Sequence, residues 1–293
     1  MNLKAYIAHH RARVDDALDA LLPTAETPPA NLHKAMRHSI FAGGKRLRPI
    51  LCLVTAEGLG ETGDTALPAA CALEMLHTFT LIHDDLPCMD DDDLRRGKPT
   101  CHKVYGEAVA VLAGDALHAL SFELLCDLPD KNSYSTGDFV RELAVASGGQ
   151  NIVAGQVLDL EGEGRDLTYN QLRNIHERKT ASLLACSLRF GAMLGGANRD
   201  QLEALTAFGW NLGLAFQVID DILDTTQTSE MLGKTAGKDE AVGKATYPAI
   251  LGLEASRDEA RELTATAKNA LKKFGTEAGR LHEIADYMLD RDY

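Results

Sequence analysis

Two clusters of aspartates give this 293-residue sequence its strongest chemical signal. The stretch DDLPCMDDDD holds six carboxylates between Asp84 and Asp93, and the stretch DDILD holds three between Asp220 and Asp224. Carboxylates so close together repel one another unless water solvates them or a hard cation such as Mg²⁺ binds their oxygens. A solvated acidic loop explains either cluster alone, whereas two such clusters favour a site for divalent metal ions.

The spacing of the aspartates predicts a different local geometry for each cluster. Asp220 and Asp224 are four residues apart, so they lie on one face of a helix. Asp84 and Asp90 are six residues apart and would not share a face of a straight helix. Pro87 lacks an amide hydrogen and should end the helix, which lets the chain bring Asp90 back toward Asp84. Because Mg²⁺ held by one or two carboxylates completes its shell with water and substrate phosphates, the sequence predicts a diphosphate substrate.

Basic segments accompany the acidic clusters. The segment GGKRLRP has a flexible glycine turn followed by cations suited to phosphate oxygens, although a basic surface loop has the same composition. The segments LRRGKP and LGKTAGKDEAVGKATYP carry basic residues soon after the first and second clusters. In a chain of net charge −13, basic residues beside acidic clusters predict a mixed site for a metal and an anion. These basic residues are Lys45, Arg46, Arg48, Arg95, Arg96, Lys234, Lys238 and Lys244.

Four further polar residues lie in apolar or helical surroundings. His77 precedes the first cluster on the same side of an apolar helix, where a hydrogen-bonded core histidine is the alternative. Gln217 precedes the second cluster within an apolar stretch, so its amide should face a polar group. Lys179 and Thr180 stand where an amphipathic helix is predicted to begin, and a capping pair is the alternative there.

The elements that must position these residues are predicted to be helices. Hydrophobic residues make up 45% of the chain and aromatic residues only 5%, which favours helices rich in Ala and Leu. Glycine, proline and polar breaks leave about ten helices, and none of the breaks resembles a domain linker. We therefore expect one all-α domain over residues 1–293. Residues 67–86 and 202–223 are apolar on nearly all sides and should form buried helices that lead into the aspartates.

The bulk properties argue against several classes of partner and location. The net charge of −13 opposes nucleic acid or an anionic membrane as a general partner. The longest nearly apolar stretch, residues 204–219, is shorter than the roughly 20 residues of a membrane span. Charged residues interrupt the N-terminal segment, which predicts a cytoplasmic protein. Six cysteines without a CxxC pair predict reduced, mostly buried thiols instead of a zinc site or disulfides.

The sequence resembles the trans-prenyltransferases of the polyprenyl diphosphate synthase family, from about Lys45 to Pro248. The resemblance is carried, in the family's order, by GGKRLRP, LIHDDLPCMDDDDLRRGKPT, GQVLDL, ERKTASLL, FQVIDDILD and GKATYP. It implies mostly antiparallel helices around a deep apolar cavity, with the aspartate motifs facing each other at its mouth, and usually a homodimer. It also implies that isopentenyl diphosphate attacks an allylic carbocation formed when an allylic diphosphate ionises.

The resemblance also implies roles for individual residues. About three Mg²⁺ ions on the allylic diphosphate would be held by Asp84, Asp85, Asp90, Asp220, Asp221 and Asp224. The same diphosphate would contact Arg95, Lys179 and Lys244, with Lys234 close by. Isopentenyl diphosphate, which needs no metal, would be held by Gly44, Lys45, Arg48, His77 and Arg96. Thr180 and Gln217, with the Lys179 carbonyl, would direct oxygen dipoles at the cation.

Product length is predicted to depend on the residues beneath Asp84. Phe79 lies five residues earlier, roughly 7.5 Å along a helix, where its ring would form a cavity floor. An aromatic residue there resembles the bacterial farnesyl group of the family, although the neighbouring Thr80 is small. We therefore expect farnesyl diphosphate, made from dimethylallyl and geranyl diphosphate. The alternatives are a geranylgeranyl diphosphate synthase and a Phe79 that serves only core packing.

Three other classes fit the sequence less well. A non-catalytic subunit of a heteromeric prenyl synthase should lack one aspartate motif, and both are complete here. A terpene cyclase normally has Asn, Ser and Glu in its second motif. A di-iron helical protein needs two Glu-x-x-His pairs, and only Glu74 with His77 has that spacing.

Overall fold

The computed structural model describes residues 1–61, 63–128, 130, 133–227 and 244–290. Lys234 and Lys238 lie outside the described residues. Over the described ranges the chain forms twelve α-helices of eight or more residues and two of five residues. The predicted all-α class is therefore confirmed, with a few more helices than expected.

The helices are numbered in chain order, and their bounds are as follows. The first half contains α1 (Leu3–Leu21), α2 (Ala30–Ile40), α3 (Leu47–Gly58), α4 (Leu67–Asp84), α5 (Cys101–Tyr105), α6 (Glu107–Cys126) and α7 (Thr136–Ser147). The second half contains α8 (Ile152–Gly162), α9 (Tyr169–His176), α10 (Ser182–Leu194), α11 (Arg199–Thr226), α12 (Tyr247–Leu251), α13 (Leu253–Ala270) and α14 (Gly279–Leu289). A π-helical turn, Glu177–Ala181, joins α9 to α10, and a 3₁₀ segment, Lys272–Ala278, precedes α14.

Of the two helices that lead into the aspartates, α4 starts at Leu67 as predicted but ends early, whereas α11 differs from its predicted bounds at both ends. Helix α4 ends at Asp84, two residues earlier than expected, because the chain must leave the helical path before Pro87. Helix α11 starts at Arg199, because Asn198 and Gln201 form a reciprocal capping box with each side chain accepting from the other's backbone N–H at 2.9 Å. The sequence predicted this helix only from residue 202. It then continues through the aspartates to Thr226.

A small β-hairpin was not predicted from the sequence. Strand β1 (Leu94–Arg95) pairs antiparallel with β2 (Lys98–Pro99). The two residues between them, Arg96 and Gly97, both have positive φ, 55° and 75°, as tight two-residue hairpins require. Each strand has only two residues, which is too short for an alternating hydrophobic pattern that would predict the hairpin.

Helices α4 and α11 form much of the interior, as predicted. Helix α4 packs against α3 and α6, and α11 packs against α10 and α13. Ten of the eighteen residues of α4 are buried, and they include Leu73, Met75 and Leu76. Four of the six cysteines are buried, Cys88 and Cys126 are exposed, and all six are free thiols, which agrees with the prediction.

Among the described residues, two helices are long and apolar enough to cross a membrane. They are α6 and α11, with 33% and 50% of the tested window buried inside the protein. Helix α11 has 28 residues and so exceeds the apolar stretch that was used to argue against a span. Both helices pack against others within the bundle. The absence of a membrane span therefore stays a prediction.

Candidate active site

The end of α4 brings the first pair of aspartates together. After Asp84 the chain folds back, and the Asp90 N–H donates to the Asp84 carbonyl at 2.8 Å. The N–H groups of Met89 and Asp91 both donate to the carbonyl of Leu86, at 2.9 and 3.1 Å, which tightens the turn. Asp84 and Asp90 both line a cavity of about 570 Å³. The predicted return of Asp90 toward Asp84 is confirmed.

Asp220 lines the same cavity from α11. Burial raises the pKa of Asp84, and the neighbouring Asp90 carboxylate raises it further, although Lys179 opposes the rise. A divalent cation would favour the carboxylate form of such a group. The carboxylates of Asp84, Asp90 and Asp220 supply the oxygen donors that Mg²⁺ prefers, so this donor set fits the ion.

Three of the six predicted metal ligands, Asp85, Asp224 and Asp221, differ from the others in their surroundings, and of these only Asp221 lines the cavity. Asp85 is buried and does not line the cavity; it accepts hydrogen bonds from the Arg95 guanidinium, including one from Nε at 3.0 Å. Burial raises the pKa of Asp85 to about 6 even though the Arg95 charge opposes the rise. Asp224 is buried one turn beyond Asp220 and is not among the residues that line the cavity. Metal ligation by these residues stays a prediction.

Asp221, the third of these residues, takes part in a hydrogen-bond chain through the cavity wall. Its Oδ2 accepts from the Tyr247 N–H at 3.0 Å, and its Oδ1 accepts from Gln217 Nε2 at 2.9 Å. The Gln217 Oε1 in turn accepts from the Thr180 hydroxyl at 3.0 Å. Because a carboxylate cannot donate, Asp221 fixes which end of the Gln217 amide faces Thr180. Thr180 and Gln217 are brought together as the sequence analysis predicted.

Two lysines pair with aspartates in the cavity wall. Lys179 Nζ donates to Asp159 Oδ2 at 2.7 Å, and Lys244 Nζ donates to Asp90 Oδ1 at 3.0 Å. Burial disfavours the charged lysine, but the carboxylates of Asp84 and Asp159 raise the pKa of Lys179 above its ordinary value. We call this region the acidic side of the cavity, defined by Asp84, Asp90, Asp159, Asp220, Lys179 and Lys244.

Two residues of the acidic-side wall were missed by the sequence analysis. Asp159 pairs with Lys179 and also lies 3.7 Å from Lys244, so it links the two cations. Gln156 lines the cavity, and neither its Nε2 nor its Oε1 has a hydrogen-bond partner among the described residues. Both belong to the segment GQVLDL, and their i, i+3 spacing on α8 would have indicated a shared polar face.

The π-helical turn explains how Lys179 and Thr180 reach the cavity. The sequence predicted a helix that begins at these residues, but the backbone is helical without a break over residues 169–194. A π-helical turn holds one extra residue and is often found at functional sites. It lies directly against α8, where a Cβ on Gly155 would come within 2.5 Å of the Lys179 backbone nitrogen. Only glycine permits this approach.

A second group of residues, mostly basic, lines this cavity and the one beside it. Arg48, His77 and Arg96 line both this cavity and an adjoining cavity of about 860 Å³, to which Lys45 and Gly44 also contribute. Burial and the nearby Arg96 together lower the pKa of Arg48 to about 10, although the Glu74 carboxylate opposes the shift. Burial also lowers the pKa of His77 well below its ordinary value, with Arg48 and Arg96 adding to the effect. We call these five residues the basic side.

The loop that carries the basic side is fixed by Arg46. This residue is only 3% exposed and donates to Asp15 and Glu74, each at 2.8 Å, and to the carbonyl of Ile40 at 2.7 Å. Arg46 was singled out with its neighbours as a possible phosphate ligand, but its guanidinium is engaged by the protein itself. Gly44, at φ 128°, leaves room for the Arg96 guanidinium, which a Cβ would overlap.

Phe79 and Thr80 line the cavity below the aspartates. The Phe79 ring lies 4.8 Å from the rings of both His83 and His118, measured between centroids. His118 in turn lies 5.2 Å from Phe122 of α6. The Thr80 hydroxyl donates to the His77 carbonyl at 2.7 Å and so does not present a free donor to the cavity. The aromatic wall therefore extends from α4 to α6.

Comparison with known proteins agrees with this geometry. The family described as Polyprenyl synthetase matches residues 29–288. The chain is 50% identical to the large subunit 1 of the heterodimeric geranylgeranyl pyrophosphate synthase of Arabidopsis thaliana, over 98% of this chain and 79% of that protein. It is 42% identical to the farnesyl diphosphate synthase of Geobacillus stearothermophilus, over 100% and 99% of the two chains.

A solved structure resembles the whole chain closely. It is a geranyltransferase from Helicobacter pylori complexed with magnesium and isoprenyl diphosphate, with a TM-score of 0.86 and 35% identity. The match covers 99% of this chain and 97% of that chain. With its all-helical fold, its paired aspartate motifs and these matches, the chain belongs to the polyprenyl synthetase family of trans-prenyltransferases, which elongate prenyl chains.

Proposed function

We propose that this chain is a Mg²⁺-dependent farnesyl diphosphate synthase, which condenses isopentenyl diphosphate with dimethylallyl and then geranyl diphosphate. The observation that carries this proposal is the division of one cavity into an acidic and a basic side above a wall of aromatic rings. Each side suits one diphosphate, and the wall suits a product of limited length.

The basic side suits isopentenyl diphosphate without a metal. Arg48 and Arg96 have pKa values lowered by burial and by neighbouring cations, so an anion placed between them would relieve their repulsion. The buried Nε of Arg48 has no hydrogen-bond partner among the described residues and offers a donor. Arginine guanidinium groups bind phosphate oxygens through paired, charge-assisted hydrogen bonds.

The acidic side suits the allylic diphosphate with Mg²⁺. Asp84, Asp90 and Asp220 would hold the ions, and Lys179, Lys244 and Arg95 would contact the diphosphate oxygens. Bound Mg²⁺ supplies charge stabilisation for the departing diphosphate. Three ions are expected, and their number stays a prediction. The part expected for Lys234 falls outside the described residues.

Residues of the cavity wall suit a short-lived allylic cation. The Thr180 and Gln217 oxygens belong to a hydrogen-bond chain that Asp221 anchors, so their dipoles are fixed before the reaction begins. Ile152, Leu160 and Phe216 line the same cavity and would exclude water that could trap the cation. The diphosphate released in the first step is expected to accept the final proton.

The aromatic wall supports a fifteen-carbon product. Phe79 is held between His83 and His118, so its ring cannot swing aside as readily as a flexible side chain. A growing prenyl chain that descends from Asp84 along α4 would meet this ring.

A twenty-carbon product is the second candidate. It is favoured by the names of several relatives, including the geranylgeranyl pyrophosphate synthases of Arabidopsis thaliana and Capsicum annuum at 50% and 49% identity. The small side chain of Thr80 beside Phe79 leaves space that a longer chain could use.

We also propose a homodimer in the cytoplasm. The outer face of α6 exposes Val111 and Leu112, by 38% and 57%, and exposed adjacent apolar side chains are typical of association surfaces. Analytical ultracentrifugation of the wild type and of Leu112→Lys measures the association. A monomeric wild type would contradict this proposal.

The decisive experiment incubates the purified chain with Mg²⁺, isopentenyl diphosphate and either dimethylallyl or geranyl diphosphate. Chromatography of the dephosphorylated products should give farnesol as the main alcohol with both starters. Geranylgeraniol as the main alcohol would favour the second candidate. No elongation with any starter would contradict the catalytic assignment and favour a non-catalytic subunit.

A further inference from the structure

The segment after Asp90 contains a group of side chains that the prenyl-transfer site does not use. Asp91, Asp93 and His102 each direct one potential ligand atom into a space where these atoms lie within 4.8 Å of one another. None of the three is among the residues that line the reaction cavity. Asp91 adopts a positive φ of 48°, and His102 lies in the short helix α5.

The tautomer of His102 follows from its neighbours. The Thr100 hydroxyl donates its only hydrogen to the Asp92 carbonyl at 2.7 Å. Thr100 Oγ1 also lies 3.2 Å from His102 Nδ1, so Nδ1 must carry the hydrogen and donate to the hydroxyl oxygen. In this tautomer Nε2 has a lone pair. His102 is only 7% exposed, and its Nε2 has no hydrogen-bond partner among the described residues.

This arrangement has the form of a metal-binding histidine. Histidine ligands commonly donate their second ring N–H to an oxygen, which fixes the ring and makes the other nitrogen more basic. The Thr100 hydroxyl is the oxygen that accepts this N–H from His102. His102 therefore combines a position beside two carboxylates with a buried ring nitrogen that has no partner among the described residues, and a bound cation would be that partner.

We propose that Asp91, Asp93 and His102 form a binding site for a divalent transition-metal ion of the Zn²⁺ type, separate from the Mg²⁺ site in the cavity. One imidazole nitrogen with two carboxylate oxygens is a donor set that Zn²⁺ and its neighbours accept, whereas Mg²⁺ prefers oxygen alone. Water would complete the coordination, because both aspartates are exposed.

Lys103 competes with the metal for one ligand. Its Nζ lies 2.6 Å from Asp93 Oδ1, and both side chains are largely exposed, by 44% and 72%. Exposed ion pairs contribute little free energy, so a metal ion can displace the lysine at small cost. The proposed site joins α5 to the segment between Asp90 and Arg95. Because Asp90 and Arg95 both line the cavity, a metal ion bound at this site would hold part of the cavity wall in place.

The test is a calorimetric titration of the full-length protein with ZnCl₂ in a large excess of Mg²⁺, which occupies the oxygen sites. The wild type should bind Zn²⁺ at a site that is lost in His102→Gln and in Asp91→Asn. Thr100→Val should weaken binding by about 10- to 100-fold, as loss of an outer partner typically does. Lys103→Met should tighten it, a change that no purely structural role of Lys103 would produce.

Two further measurements keep the test decisive. The His102 imidazole nitrogen signals should shift on Zn²⁺ addition in NMR spectra of protein with ¹⁵N-labelled histidine. Asp84→Ala/Asp220→Ala, which removes cavity carboxylates, should keep the Zn²⁺ site. Circular dichroism checks the fold of His102→Gln, and Asp91 is exposed, so its variant should fold in any case. Equal Zn²⁺ binding by the wild type, His102→Gln and Asp91→Asn would overturn the proposal. Zn²⁺ binding that is lost only when Asp84 and Asp220 are replaced would also overturn it, because the ion would then bind in the cavity.

Discussion

The acidic and basic sides of the cavity hold charge in opposite ways. On the acidic side, carboxylates and lysines alternate, with Lys244 3.0 Å from Asp90 and Lys179 2.7 Å from Asp159. On the basic side, burial and neighbouring arginines lower the pKa values of Arg48 and Arg96. On the acidic side the lysines are already paired with carboxylates, so an added cation is needed before a further anion binds there. On the basic side the cations repel one another, so an anion binds directly. From this difference we expect that only substrate binding on the acidic side depends on the metal.

The largest effect expected from a change near the basic side is on stability. Arg46→Leu leaves Glu74 buried without its cation, and removing one partner of a buried pair costs about 3–5 kcal/mol. Urea unfolding followed by circular dichroism measures the free energy of unfolding. Arg11→Leu, which removes an exposed partner of Asp15, is the matched control and should change it by less than about 1 kcal/mol. Equal losses in the two variants would show that the buried pair does not fix the loop.

A change on the acidic side should mainly affect turnover. Asp84→Asn removes a carboxylate charge that faces the cavity, and we expect kcat to fall by about 10²- to 10³-fold, as when one preorganised electrostatic group is lost. Initial rates measured over a range of Mg²⁺ concentrations should also show weaker activation by the metal. Asp16→Asn, on an exposed position of α1, is the control and should behave like the wild type. An unchanged Mg²⁺ dependence would remove Asp84 from the metal site.

A change on the basic side should affect substrate binding without the metal. Arg48→Gln removes a charged donor, so we expect the KM for isopentenyl diphosphate to rise by roughly 10- to 100-fold, about 1.5–3 kcal/mol. The KM for the allylic substrate and the half-saturating Mg²⁺ concentration should stay near their wild-type values. Arg141→Gln, an exposed arginine of α7, serves as control. If Mg²⁺ dependence changes with Arg48, the two sides are not separate.

Asp221 tests whether a motif aspartate positions a neighbour or binds metal. Asp221→Asn weakens the anchor of the Gln217 amide, and we expect kcat to fall by about tenfold, the loss of one charged hydrogen bond. The half-saturating Mg²⁺ concentration should not change if both Asp221 oxygens are engaged by the protein. A large rise in that concentration would instead make Asp221 a metal ligand, as its sequence motif implies.

The smallest effect on the reaction rate is expected from a change in the aromatic wall below the acidic and basic sides. Phe79→Ala removes one ring of the aromatic wall and should shift the main product from fifteen to twenty carbons, with a change in total turnover of only a few-fold. Product chromatography measures the ratio of the two alcohols. Phe274→Ala, at a partly buried phenylalanine that does not line the cavity, is the control. If the ratio stays unchanged, Phe79 packs the core without limiting the chain.

The sequence was most informative where chemistry follows from regular geometry. Helical spacing predicted which element carries Asp220, and Pro87 predicted the turn that returns Asp90 to Asp84. The all-α class followed from composition and periodicity. These features depend on local rules that a single sequence contains.

Other features depend on contacts between distant segments and could not be predicted. Nothing in GGKRLRP distinguishes Arg46, held by Asp15 and Glu74, from Arg48, which lines the cavity two residues later. The partners of Arg46 come from α1 and α4, up to 31 residues away. Asp159 was missed for the same reason. Its place in the site depends on ion pairs with lysines that lie 20 and 85 residues later in the chain.

The π-helical turn before α10 also acts as a change of phase within one continuous helix. Before the turn, Leu172 of α9 packs into one hydrophobic cluster, and after it, Leu184 and Leu188 of α10 pack into another. One residue corresponds to about 100° of helical rotation. Deleting a residue from 177–181 would restore a regular helix, but it would rotate α9 by that angle against α10. The extra residue therefore lets one helix serve two packing surfaces and still direct Lys179 and Thr180 into the cavity between them.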